Sequence, residues 1–100
     1  MSGGYTYTTI VGGPEEPVRI GVSFYLDDAA CIRVYSLGSD RPMLGVEHGH
    51  VEVLFAIPNG QVTDTDVRRA RELADKAASY AAEVKRLHAE REARAANSAA

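Results

Sequence analysis

The segment from Thr63 to about Ala93 constrains the rest of the chain most, because it reads as one unbroken helix in a sequence of only 100 residues. Thr63 is placed to cap the first turn, and Asp66 three residues on completes a shortened capping box. Val62 and Val67 flank the cap at the spacing of a hydrophobic staple. Asp64 and Asp66 put negative charge at the positive end of the helix dipole. Ala70, Leu73, Ala74, Ala77, Tyr80, Ala81, Val84 and Leu87 then recur at threes and fours and form one apolar stripe, narrow and mostly alanine. Glu72 precedes Lys76, and Glu90 precedes Arg94, at the i,i+4 spacing of a helical ion pair. The residues after Glu92 lose the stripe, so 92–100 is expected to fray.

With the helix taken out, the remaining residues must supply a sheet. Val18, Ile20, Val22, Phe24 and Leu26 alternate with Arg19, Gly21, Ser23 and Tyr25, which is the clearest strand pattern in the chain. Tyr5 to Val11 is also rich in strand formers, and Gly12-Gly13-Pro14-Glu15-Glu16-Pro17 reads as the loop between the two.

Residues directly opposite in an antiparallel pair share a face, so loop length must agree with the parity of the core residues. A three-residue turn at Asp27-Asp28-Ala29 would set Phe24 opposite Ile32, Gly21 opposite Tyr35 and Cys31 opposite Tyr25. Gly38-Ser39-Asp40 would set Val34 opposite Leu44, Arg33 opposite Gly45 and Ile32 opposite Val46. Val51, Val53, Phe55 and Ile57 need an even loop, which His48-Gly49 supplies as a two-residue hairpin turn placing Val46 opposite Val51. Pro58-Asn59-Gly60 closes the sheet.

The expected fold class is therefore α+β, one domain over residues 1–91. It is an antiparallel meander of four to five strands (about 5–57) followed by one long C-terminal helix (about 64–93) packed on one face. Five strands span roughly 20 Å at ~4.8 Å spacing, whereas one helix covers about 10 Å. A second chain, or a tightly curled sheet with a projecting helix end, would resolve the mismatch.

Composition narrows the function. The net charge of −3 argues against a nucleic-acid binder. No segment reaches the length of a membrane span, and Met1-Ser2-Gly3-Gly4 lacks the start of a signal peptide, so no membrane partner and a cytoplasmic location are expected. A single cysteine, Cys31, rules out an internal disulfide. No phosphate loop, serine elbow or acid/base constellation is visible, so no catalytic residue and no enzymatic activity are expected. His48 and His50 give at most two metal ligands and Asp27-Asp28 fits a turn, so neither metal nor cofactor is expected.

The positive signal is an apolar row on the sheet face away from the helix. Tyr35, Met43 and Leu54 are expected at one level across three strands, extended by Leu37 and Ala56 and edged by Arg33, Arg41 and Glu52. An apolar patch with aromatic and arginine edges suits an interaction surface, and scattered surface residues are the plainer explanation. Leu73, Ala77, Tyr80, Val84 and Leu87 are the helix-packing or dimer contacts. The expected function is a small protein-interaction module, a homodimeric adaptor or regulatory accessory protein. One alternative is a nucleic-acid-associated regulator using Arg68, Arg69 and Arg71, which could equally be solvated helix formers balanced by nearby carboxylates. The other is a ligand- or metal-binding module at the His48–His50 hairpin.

Overall fold

Strands pair most readily with their nearest neighbour in sequence. In the computed structural model, which describes residues 4–58 and 61–99, β1 (Tyr5–Gly13) pairs antiparallel with β2 (Glu16–Tyr25) from Tyr5↔Tyr25 to Gly13↔Glu16. The loop expected over 12–17 shrinks to a turn at Pro14-Glu15, and a register shift between Val11 and Gly13 absorbs the remaining glycine. The alternation of Val18 to Leu26 survives: Ile10, Ile20, Val22 and Phe24 share one face, and Tyr5, Tyr7 and Tyr25 the other.

β3 (Cys31–Tyr35), β4 (Met43–His48) and β5 (Val51–Ala56) form a second antiparallel sheet in that order. The five strands thus make two sheets, not one meander, and the link expected between β2 and β3 is absent. Phe24 pairs with Thr6 instead of Ile32, Gly21 with Thr9 instead of Tyr35, and Cys31 with Glu47 instead of Tyr25. The cause lies at Asp27, whose carboxylate turns back to accept the Ala29 N–H at 2.9 Å. Its carbonyl accepts the Ala30 N–H at 3.0 Å. An aspartate folded onto its own backbone makes a turn that redirects the chain without closing a hairpin.

The β3–β4 register is the expected one, with Ile32↔Val46, Arg33↔Gly45 and Val34↔Leu44. The connection is longer than Gly38-Ser39-Asp40 and runs over residues 36–42. The Ser36 carbonyl accepts the Ser39 N–H at 3.0 Å, and the Ser39 hydroxyl accepts the Arg41 N–H at 3.1 Å.

Between β4 and β5 the turn has two residues, as parity requires, but they are Gly49-His50. Val46 therefore faces Val53, two places beyond the expected Val51. Gly49 has φ of 63°, and among the described non-glycine residues only Ser36 has a positive φ. A two-residue turn with positive φ at its first central position wants glycine there, so Gly49 must lead the turn. The shift is even, so every side chain keeps its expected face.

The helix, α1, spans Asp64–Ala99 and continues through the segment expected to fray. Alanine, glutamate and arginine dominate there and need no buried face to favour a helix. Its cap is the expected reciprocal one: Thr63 N–H donates to Asp66 Oδ2 at 2.8 Å, and Asp66 N–H donates to Thr63 Oγ1 at 3.2 Å. No helix among the described residues is long and apolar enough to cross a membrane. Residues 1–3, the Asn59-Gly60 part of the expected turn, and Ala100 lie outside the described residues.

The chain divides into two compact units, Met1–Pro58 with both sheets and Asn59–Ala100 with the helix. Among the described residues no apolar side chain is buried. In the sheet unit Ile20 is 69% exposed and Ile32 62%, and in the helix unit Tyr80 is 71% exposed.

Candidate functional site

The one buried polar side chain among the described residues is His48, at the end of β4. Its Nε2 donates to Asp27 Oδ1 at 3.1 Å, because the carboxylate can only accept, and its Nδ1 lies 2.9 Å from Thr6 Oγ1. The Phe24 ring meets the imidazole edge-on with centroids 6.5 Å apart. Thr6, Phe24 and His48 are all even-numbered, so the apolar sides of the two sheets meet at this imidazole. The Ala29 N–H holds the Asp27 carboxyl below the ordinary carboxylate range; burial opposes this, and hydrogen bonds from His48 and the Gly4 backbone reinforce it. This junction was not foreseen from the sequence. The only signal was a histidine at an even position between two apolar core positions, Val46 and Val51.

With both ring nitrogens engaged, His48 offers no free donor to pair with His50, which stands exposed in the turn. The described residues contain no group of three or more histidine, cysteine or carboxylate side chains able to hold a metal.

The surface expected to carry Tyr35, Met43 and Leu54 is drawn together in a modified arrangement. Tyr35 lies directly opposite Met43, but Met43 faces Ala56 on β5, and Leu54 faces Gly45. The missing side chain at Gly45 makes the cluster possible. A Cβ there would stand 2.6 Å from Tyr35 Cε2 and 3.1 Å from Leu54 Cδ2, so both residues lean over the bare backbone. Tyr35 donates to Glu52 Oε2 at 2.8 Å, and Arg33 sits 5.6 Å above the Tyr35 ring centroid. The bond to Glu52 raises the Tyr35 phenol above its ordinary value. Arg41 lies apart in the β3–β4 connection.

Cys31 faces the same side, and Arg33 directs Nε and Nη2 to its sulfur at 3.1 and 2.6 Å. The neighbour of Cys31 that the sequence did not reveal is thus the Arg33 cation.

A second aromatic cluster also escaped the sequence. Tyr5 and Tyr25 stack across the first hairpin with centroids 4.1 Å apart, and Tyr7 lies 5.9 Å from Tyr25. Tyr25 donates a hydrogen bond to the Tyr7 phenol oxygen, which pushes the Tyr25 phenol up to about 12 and lowers Tyr7. Tyrosines two apart in one strand and opposite each other in the next were the legible sign.

On the helix, Leu73, Ala77, Tyr80, Val84 and Leu87 keep one exposed face. The three arginines do not converge. At 100° per residue, Arg69 stands about 100° from Arg68 and about 160° from Arg71. Arg69 pairs with Glu72 at 2.9 Å, and Arg68 donates to Thr65 Oγ1 at 3.4 Å. Arg68 and Arg71 share an open groove with Asp64 and Asp75, so both signs of charge line it. Glu90 pairs with Arg86 instead of the expected Arg94. No protein-family model, curated protein or solved structure matches the chain.

Proposed function

We propose that this protein is a non-enzymatic interaction module, a homodimeric adaptor or regulatory accessory protein whose fold is completed by a second copy. The observation that carries the reading is the absence of any buried apolar side chain among the described residues, in a chain that is 45% hydrophobic. Burial of apolar surface is the main force that holds a domain together. The sheet faces carrying Ile20 and Val22 and carrying Ile32, Val34 and Phe55, together with the helix stripe, are the surfaces available for it. The Arg33, Tyr35, Met43 and Leu54 face then contacts the regulated partner: it combines an aromatic, an arginine and apolar neighbours, the composition of binding hot spots.

Light scattering on the full chain should give twice the 10.8 kDa chain mass, and a monomer at all concentrations overturns the reading. Met43→Ser with Leu54→Ser should leave that mass unchanged while weakening partner capture by more than about tenfold. Loss of the dimer in this variant would place the dimer contact on the Met43 and Leu54 face.

A further inference from the structure

We infer that the helix stripe pairs with the same stripe of a second copy in antiparallel orientation, centred between Ala78 and Ser79. The inference deepens the homodimer reading and rests on it. Ala70, Ala77 and Val84 alternate with Leu73, Tyr80 and Leu87 at the three- and four-residue steps of a two-helix seam. All six lie on a helix face that is exposed in the single chain.

Two independent features select the direction. The first is volume. In an antiparallel pair centred there, Ala70 faces Leu87, Leu73 faces Val84, and Ala77 faces Tyr80, so each layer sets a smaller side chain against a larger one. A parallel pair in register would set alanine on alanine and tyrosine on tyrosine, leaving voids beside overfilled layers.

The second is charge. The residues flanking the seam on one side are Arg69, Lys76, Glu83 and Glu90. Antiparallel packing at the same centre brings Arg69 to Glu90 and Lys76 to Glu83, each twice by symmetry, and all four contacts attract. In a parallel pair these residues would face Ala74, Ala81, His88 and Ala95, five places further on, leaving only Glu83 beside a polar partner, His88. The alanines on the second flank let the helices approach closely, and opposed helix dipoles favour the antiparallel sense. In the single chain Arg69 is paired with Glu72, and Glu83 and Glu90 with Arg86. Exposed pairs of this kind hold little energy, so they can exchange for contacts across the seam.

The test uses the full chain. Arg69→Glu with Lys76→Glu gives one variant with four negative flanks, and Glu83→Lys with Glu90→Lys gives another with four positive ones. Each alone should dimerise about tenfold or more weakly at low ionic strength, and mixing the two should restore a heterodimer, with circular dichroism checking helix content. Spin labels at Ala93→Cys or Ser79→Cys, on a Cys31→Ser background, read direction. Antiparallel pairing puts the Ala93 labels about 45 Å apart at ~1.5 Å per residue and leaves the Ser79 labels close. Short distances at both sites mean a parallel pair, which overturns the inference and leaves the homodimer standing. A dimer indifferent to both charge variants places the interface elsewhere and also overturns it. A monomer by light scattering removes the reading beneath it.

Discussion

At the scale of single residues, His48 and Asp27 form the least exposed polar contact among the described residues. Their side chains are 9% and 12% exposed, and each is hydrogen-bonded to a segment distant in sequence or to its own turn. Truncation of His48 to alanine leaves the Thr6 hydroxyl and the Asp27 carboxylate without this partner in a closed site. The variant should lose about 1–3 kcal/mol in urea unfolding. Asp27 also fixes a sign for acid behaviour. Its folded pKa is depressed, so its contribution is fully present above the unfolded carboxylate value of about 3.9 and is lost as pH falls through the lower folded value. The urea midpoint should therefore fall more steeply below about pH 4 for the natural chain than for Asp27→Asn. Identical acid profiles would mean that Asp27 carries no linkage.

At the scale of elements, the two-residue turn at Gly49-His50 shows how a local backbone demand sets a register. A side chain at Gly49 would be strained by its φ of 63° whatever the space around it, and nothing stands within 4 Å of a Cβ there. Gly49→Ala should thus cost about 1–2 kcal/mol in stability, while His50→Ala should be close to neutral. Comparable losses from both would remove the turn frame.

The same turn shows what was legible in the sequence. Parity fixed which faces are apolar, because a period of two survives any even slip, but it could not choose between His48-Gly49 and Gly49-His50. The Thr63–Asp66 cap was readable because both partners lie within one turn. The split into two sheets was not, since it follows from Asp27 turning onto Ala29 and His48, a contact set by three-dimensional closure. The Tyr35 cluster was half legible: Tyr35 and Leu54 do approach one another, but over Gly45, while Met43 faces Ala56 and Arg41 lies apart. The helix end at Ala99 was not legible from the apolar stripe, because alanine, glutamate and arginine sustain a helix without packing.

At the scale of the whole molecule, an apolar surface without burial has a thermodynamic consequence. The helix measures about 54 Å at ~1.5 Å per residue, and isolated helices draw little stability from propensity alone. The three-stranded sheet has apolar side chains on the face shared by Ile32, Val46 and Phe55, with Ile32 62% and Phe55 45% exposed. If a second copy supplies the missing burial, folding and association form one equilibrium, and measured stability depends on protein concentration. Each tenfold dilution then removes about 1.4 kcal/mol from the free energy that separates the folded dimer from two unfolded chains. Thermal and urea midpoints should fall steadily on dilution, with helix and sheet signals lost together. Charge reversal at Arg69 and Lys76 should displace that curve to higher protein concentration without changing its slope. His48→Ala should lower the midpoint at every concentration, because its contacts lie within one chain. A midpoint independent of concentration would mean that one chain folds alone, and the exposed stripe would then be a surface for a different partner.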